Sequence, residues 1–375
     1  MKSFSVSTKI VMGSEGMMEI FQGMQKVLIV TDKFMQDSGK VSYVTKVLEE
    51  SNIEYEIFSE VKPDPDIDTV AKGAARILEF KPQAVIAFGG GSPIDAAKAI
   101  LYFATRKQNN SNCKFVAIPT TSGTGSEVTR FAVISDKAKN AKYPLVEDSL
   151  LPDYSVLEPE LIVSVPPSVT ADTGVDVLTH GIEAMVANNA NDFTDAAAEK
   201  AIRLVRDNLI KAYENPGDLA AREHMHNGSC LAGIAFSNSG LGLNHGMAHT
   251  LGAHFHIPHG RANGILLPFV IAFNTDWEDE SQECYKKYHE VAKILKVESY
   301  TVKQSSKNLI NFIRKLLAKL QVPATIKEAG VSEEDFKAVL DDMVKAALAD
   351  RCTGTNPRNC TYEEVKKLFQ KAYYG

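Results

Sequence analysis

"AVIAFGGGSPIDAAK", residues 84–98, decides the fold. An apolar run suited to a buried strand enters three glycines, and a helix-forming stretch starts directly behind them. Ser92 is placed as the helix N-cap, Pro93 suits the first helical position, and Asp95 sits three residues beyond the cap. Gly89, Gly90 and Gly91 have no Cβ to hold a ligand off, so backbone N–H groups and the helix dipole can meet a pyrophosphate. The competing reading is a tight turn with no ligand, and the triplet departs from the GxGxxG fingerprint.

The flanking chain repeats the same alternation. "KVLIVTD" (26–32) reads as a strand, "YVTKVLEESN" (43–52) as a helix, and "EYEIFSE" (54–60) as a strand ending in the turn "KPDPD". "IDTVAKGAARILEF" (67–80) is a helix, and "FVAIPTT" (115–121) is a strand after the helix "SPIDAAKAILYFA". Apolar strands alternating with helices predict a parallel sheet covered on both faces. Asp32 ends the first of these strands on the side where doubly wound sheets take ligands. A carboxylate there can accept both ribose hydroxyls and repels a 2′-phosphate, although it precedes the glycines, against the ordinary order; the alternative is a turn residue. "IPTTSGTGSEVT" (118–129) is a second candidate ligand loop, with Thr120, Thr121 and Thr124 able to bond phosphate, ribose or carboxamide.

After about residue 165 the texture turns helical. Ile202, Val205, Leu209 and Tyr213 recur at helical spacing, as do Leu309, Phe312, Leu316 and Leu320. "LEPELIVSVPP" (157–167) reads as the junction. The expected architecture is an α/β dinucleotide-binding domain with a parallel sheet over 1–164, then an all-α metal-binding domain over 165–375. A chain of 375 residues accommodates both.

Composition narrows the function classes. A net charge of −6 gives no basic footprint for nucleic acid, and no apolar run is long enough to span a bilayer. The N-terminus lacks the apolar core of a signal peptide. Five scattered cysteines without a CxxC argue for a reducing cytoplasm and against a thiolate zinc site.

"GLNHGMAHTLGAHFHIPHG" (242–260) concentrates five of the nine histidines. Histidine is the commonest metal ligand and a proton carrier near neutral pH. In "TGVDVLTHGIEA" (173–184), Asp176 and His180 stand four residues apart and share one helix face, as do His245 and His249. A carboxylate with imidazoles and no thiolate suits Fe2+ or Zn2+. Spacing nominates Asp176, His180, His245 and His249, and leaves His254, His256 and His259 open. His224, His226 and His289 read as surface residues.

Together "GGGSPIDAAK", "IPTTSGTGSEVT", "TGVDVLTHGIEA", "GLGLNHGMAHTLGAHFHIPHG" and "TNPR" resemble the iron-containing (group III) alcohol dehydrogenases, over nearly the whole chain and in order. "NDFTDAAAEKA", "MHNGSCLAGIAFS" and "VKAALADRCTGTNPR" resemble the 1-propanol dehydrogenase branch that serves diol- or ethanolamine-degrading microcompartments. The resemblance implies a dehydroquinate synthase-like architecture and a metal held by Asp176, His180, His245 and His259. It moves His249 to a catalytic, proton-relay or substrate-orienting place. It further implies NAD(P) contacts at Asp32, Asp64, Gly89, Gly90, Gly91, Ser92, Asp95, Thr120, Thr121, Thr124 and Lys142, and an aromatic beside the substrate at Phe236. Aspartate at position 32 favours NAD.

The expected reaction is reversible hydride transfer between short primary alcohols or aldehydes, such as 1-propanol and propanal, and NAD, with Fe2+ as Lewis acid and Zn2+ as the other candidate ion. A glycerol or diol dehydrogenase and a dehydroquinate synthase-like lyase are the alternatives; the lyase would want a basic cluster that the histidine segment, beyond Arg261, does not supply. The resemblance also implies a homodimer, with the N-terminal strand as a candidate for pairing, and raises association with a bacterial microcompartment.

Overall fold

The computed structural model describes residues 3–108, 113–136, 141–275 and 283–375, without the side chains of residues 15, 108, 141 and 142. The chain divides into two compact units, Ser5–Ser164 and Val165–Gly375, the second also taking in Phe4, whose ring stacks on Phe193 at 5.6 Å.

The first unit holds strands β1 (Lys9–Met12), β2 (Lys26–Asp32), β3 (Glu54–Val61), β4 (Ala84–Gly89), β5 (Lys114–Pro119), β6 (Phe131–Asp136), β7 (Ala141–Val146) and β8 (Tyr154–Leu157). Its helices are α1 (Glu15–Ile20), α2 (Lys33–Asp37), α3 (Ser42–Glu50), α4 (Ile67–Phe80) and α5 (Gly91–Gln108). Six strands pair in the order β1-β8-β5-β4-β2-β3, every pair parallel, while β6 and β7 form a separate antiparallel pair. Strand β4 is buried from Ala84 to Gly89 because apolar side chains cover both faces of the sheet. Helix α4 matches its expected span: Asp66 caps it, accepting from the Thr69 N–H at 2.9 Å, and Lys81 stops it in the left-handed region. A Cβ on Gly73 would lie 2.3 Å from Ile100, so a glycine is what lets α4 close on α5.

The start of α5 differs from the expected cap. The helix begins at Gly91, with only Gly90 between it and the end of β4, which puts Ser92 inside the first turn instead of before it. Gly89 turns at φ 151, a value open to glycine, and Gly90 takes the cap position, its carbonyl accepting the Ile94 N–H at 3.3 Å. Strand β8 and the β6–β7 pair lie beyond the strands read from the sequence.

Among its described residues the second unit has helices and no strands: α6 (Pro167–Val186), α7 (Asp192–Glu214), α8 (Leu219–Ser239), α9 (Leu243–Phe255), α10 (His259–Asn274), α11 (Glu283–Ile294), α12 (Val302–Lys319), α13 (Glu333–Ala349) and α14 (Tyr362–Tyr374). Ile202, Val205 and Leu209 turn inward on α7 as their spacing predicts. On α12 the buried line runs Leu309, Ile313 and Leu317, with Phe312 and Leu316 only half-buried. A spacing of four throughout holds one face inward, whereas the line through Phe312 and Leu316 starts a step of three around the helix. His226 is buried in α8, not at the surface, and burial pushes its imidazole down to about 4.

Candidate functional site

Helix α6 is buried all round from Gly174 to Val186, so a carboxylate on it is costly unless neighbours satisfy it. Asp176 and His180 sit there one turn apart. His245 lies in the first turn of α9. That helix ends at Phe255, the chain reverses through His256 at φ 54, and α10 opens on His259 behind Pro258. The reversal returns His259 to the start of α9: its ring centroid stands 5.2 Å from that of His245.

One donor atom from each of Asp176, His180, His245 and His259 lies within 4.8 Å of all the others. The Nε2 atoms of His259 and His245 stand 3.7 and 3.9 Å from Asp176 Oδ1, and His180 Nε2 stands 4.0 Å from Oδ2. Ligands of a shared ion at about 2.0–2.2 Å need spacings of this order, so the donor set fits a four-coordinate Fe2+ or Zn2+. Burial raises the Asp176 carboxyl above its ordinary value, and burial together with the neighbouring imidazoles holds His245 well below 6.5. A neutral imidazole is the form that ligates. Phe236 stacks on His180 with centroids 4.5 Å apart and presents an apolar wall to the cluster.

Residues the sequence reading missed surround these donors. Glu183, on the same face of α6, meets His245 Nδ1 through Oε2 and accepts the Asn244 N–H through Oε1 at 2.9 Å. Burial pushes its carboxyl up to about 8 against the pull of those α9 amides. Asn263 donates from Nδ2 to Asp176 Oδ1 at 2.7 Å, and Asn244 Nδ2 donates to Asn263 Oδ1 at 2.9 Å. Both had a usable signal: Glu183 is three residues after His180 and Asn263 four after His259, each on the helix face of one of the clustered histidines.

His249 does not join the four donors. Its Nδ1 meets Asp350 Oδ2 at 2.7 Å, and its side chain stays 40% exposed, stacked on His259 at 5.3 Å. Asp350 Oδ1 also accepts the Cys352 N–H at 2.8 Å. The Asp350–Asn356 segment grips the start of α9: Thr355 Oγ1 donates to Leu241 O at 2.7 Å, and Asn356 Oδ1 accepts from Leu243 N at 3.1 Å. A Cβ on Gly246 would fall 2.1 Å from Thr353 Oγ1, so glycine admits this segment. Asp350 lies 101 residues from its partner and had no local signal. His254 and His256 are exposed.

In the first unit the glycine turn and the hydroxyl loop pack on each other. A Cβ on Gly91 would meet Thr124 Cγ2 at 2.8 Å, one on Gly90 would meet Thr121 Oγ1 at 3.2 Å, and Thr120 N donates to Gly89 O at 3.0 Å. Thr120 Oγ1 is buried with no hydrogen-bond partner, an unmet demand that costs about 1–3 kcal/mol until a ligand meets it. With the first N–H groups of α5 open by helix geometry, the residues fit a pyrophosphate-bearing cofactor. Asp95 spends both oxygens inside the unit, accepting from Ser126 Oγ at 2.7 Å and Val133 N at 3.0 Å. Lys98, unread in the sequence, is buried and donates to Ser126 Oγ, Thr129 O and Phe131 O, which fixes the loop's far end. Burial lowers its ammonium to about 8 against Asp95 and Glu127. Asp32 caps α2, its Oδ1 accepting from Met35 N at 2.9 Å. Asp64 is exposed in its turn at φ 55. Lys142 stands on β7 by its backbone, its side chain lying outside the described residues.

Comparison with known proteins agrees across both units. Residues 7–159 match the family described as "Iron-containing alcohol dehydrogenase", and residues 170–373 match "Fe-containing alcohol dehydrogenase family, C-terminal". The chain is 44% identical to the 1-propanol dehydrogenase PduQ of Salmonella typhimurium, over 99% of this chain and 100% of that one. It is 42% identical to an NADPH-dependent butanol dehydrogenase of Clostridium saccharobutylicum, over 97% and 95%. Among solved structures, a 1,3-propanediol oxidoreductase superposes with a TM-score of 0.92 at 33% identity, covering 100% of both chains. With a clustered Asp–His donor set in one unit and a parallel sheet with its glycine turn in the other, each matched by its half of one family, the chain belongs to the iron-containing alcohol dehydrogenases, oxidoreductases that use NAD(H) and Fe2+.

Proposed function

We propose that this enzyme interconverts short primary alcohols and aldehydes, 1-propanol and propanal foremost, with NAD as its cofactor. The clustering of Asp176, His180, His245 and His259 donor atoms within 4.8 Å carries the reading. These four residues would hold Fe2+, which when bound supplies Lewis acidity toward the substrate oxygen, while NAD supplies the hydride acceptor.

The chain's own residues do the rest. The Gly89–Ser92 backbone and the α5 N-terminus bind the pyrophosphate, and Thr120, with Thr121 and Thr124 beside it, supplies hydroxyls to the cofactor. Asp32 accepts the ribose hydroxyls and disfavours a 2′-phosphate; Asp64 and Lys142 take cofactor contacts at the edges. Asp95 acts through Ser126, by setting the shape of the hydroxyl loop. His249 passes the hydroxyl proton through Nε2, since Asp350 engages Nδ1. Phe236 limits the substrate's apolar side.

The test is NADH oxidation by anaerobically prepared protein with ethanal, propanal and butanal, with 1,3-propanediol as a competitor and with or without Fe2+. Iron-dependent turnover that is best on propanal supports the reading; no turnover on any aldehyde with Fe2+ present overturns it. Because one relative is named as NADPH-dependent, the same assay with NADPH on Asp32→Gly tests the ribose assignment. Improved NADPH use is expected, and unchanged discrimination removes Asp32 from that site.

The homodimer would form along β1, an edge strand of the parallel sheet whose Met12 is 72% exposed. Val11→Pro should then yield monomer in sedimentation. Among the described residues no helix is long and apolar enough to cross a membrane. Cytoplasmic residence and microcompartment association rest on the resemblance to propanol dehydrogenases, and cell fractionation would test both.

A further inference from the structure

Glu183 spends both oxygens on the stretch of α9 that presents His245. Oε2 meets the ring Nδ1 and Oε1 accepts the Asn244 N–H at 2.9 Å, so one side chain from α6 sets both the ring's orientation and the backbone beneath it. The approach is close by construction: a Cβ on Gly242 would lie 2.7 Å from Glu183 Oε1 and 2.9 Å from Asn356 Oδ1. Glu183 is 3% exposed, and its oxygens lie at the far edge of the ring, on the nitrogen that points away from Asp176. It is therefore poorly placed to serve as a ligand, and well placed to act on one. An imidazole whose Nδ1–H is held by a carboxylate keeps its lone pair on Nε2 and becomes a stronger donor there.

We propose that Glu183 is the positioning residue of the metal centre, fixing His245 as an Nε2 ligand and tying the two ligand-bearing helices α6 and α9 at that point. The inference rests on the reading of Asp176, His180, His245 and His259 as the metal site. Asn263 completes the arrangement from α10: its amide joins Asp176 to Asn244, the residue whose N–H Glu183 accepts.

The experiment strips metal from the full-length wild type and from Glu183→Gln, Glu183→Ala and His259→Ala. Each is then titrated with Co2+ against a competing chelator, read by visible absorption. Glutamine retains one acceptor oxygen for two facing groups; alanine retains none. Expected affinity losses are about 10-fold for Glu183→Gln and about 100-fold for Glu183→Ala, with the absorption band kept in the first and altered in the second. Circular dichroism of the metal-free proteins checks the fold, and Glu183→Gln carries the test alone should the alanine variant not fold. Wild-type affinity in a folded Glu183 variant, with binding lost in His259→Ala, overturns the proposal and leaves the metal site standing. A wild type that binds no Co2+, or a His259→Ala that binds it unchanged, overturns the metal-site reading itself.

Discussion

At the start of α9, His245 leans on Glu183; one turn later, His249 leans on Asp350. The two pairs share chemistry and a helix, and they differ in what surrounds them. His245 and Glu183 are 2% and 4% exposed at the side chain, against 40% and 20% for His249 and Asp350. Burial drives the Glu183 carboxyl up to about 8. Burial acts on Asp350 in the same sense, yet the hydrogen bond and charge of His249, with the Cys352 N–H, outweigh it and hold Asp350 below its ordinary value. The same pairing thus yields a dry, neutral ring beside Asp176 in one case and a part-exposed ring in the other. Depth in the fold, which residue type and spacing do not encode, separates these two pairs, although His259, which does join the Asp176 cluster, is itself 41% exposed at the side chain.

The sharpest way to break that contrast is to remove each ring. His245→Ala should release the metal and lower turnover by about 1000-fold or more, the scale of a lost Lewis acid. His249→Ala should keep the metal and lose about 100-fold in kcat, within the range of a general acid–base group. Metal analysis beside steady-state kinetics reads both. Metal lost from His249→Ala but retained by His259→Ala would exchange the two roles.

A smaller effect is expected one residue further out. Asp350→Asn should cost about 10-fold in kcat with KM and metal content unchanged, because the amide still contacts Nδ1 without favouring its protonated form. Combined with His249→Ala it should add almost nothing, since both act through one ring. Full additivity would place the work of Asp350 elsewhere, in its grip on the Cys352 N–H.

This contrast also marks how far the sequence could be read. Strands and helices of the first unit were legible because period and turn residues are local: α4 runs from Ile67 to Phe80 as its caps and spacing require. The start of α5 was misplaced because the cap rule looks for a side-chain acceptor such as Ser92, and the residue between β4 and α5 is Gly90. Asp176 and His180 were visible as a helical pair. Spacing then favoured His249 over His259, since a four-residue rule works only inside one helix and the reversal at His256 lies outside it. His226 was misread for want of any polar neighbour pattern to announce its burial. Asp350 was out of reach because its contact exists only in the folded chain.

The smallest effect separates the pairs by acid. Asp350's carboxyl is held below its unfolded value near 3.8, so its contribution to stability is complete above that pH and is lost as pH falls through the lower folded value. Asp350→Asn removes the titrating group, so the variant should be less stable than wild type near pH 6, by under about 1 kcal/mol for a part-exposed pair. The gap should begin to narrow as pH falls below about 3.8, the ordinary aspartate value. Urea midpoints of the metal-free proteins measure this without interference from ion release. A gap that holds constant to pH 3 would mean that ionisation of Asp350 adds nothing to the folded state, so that its contact with His249 stabilises through hydrogen bonding and not through charge.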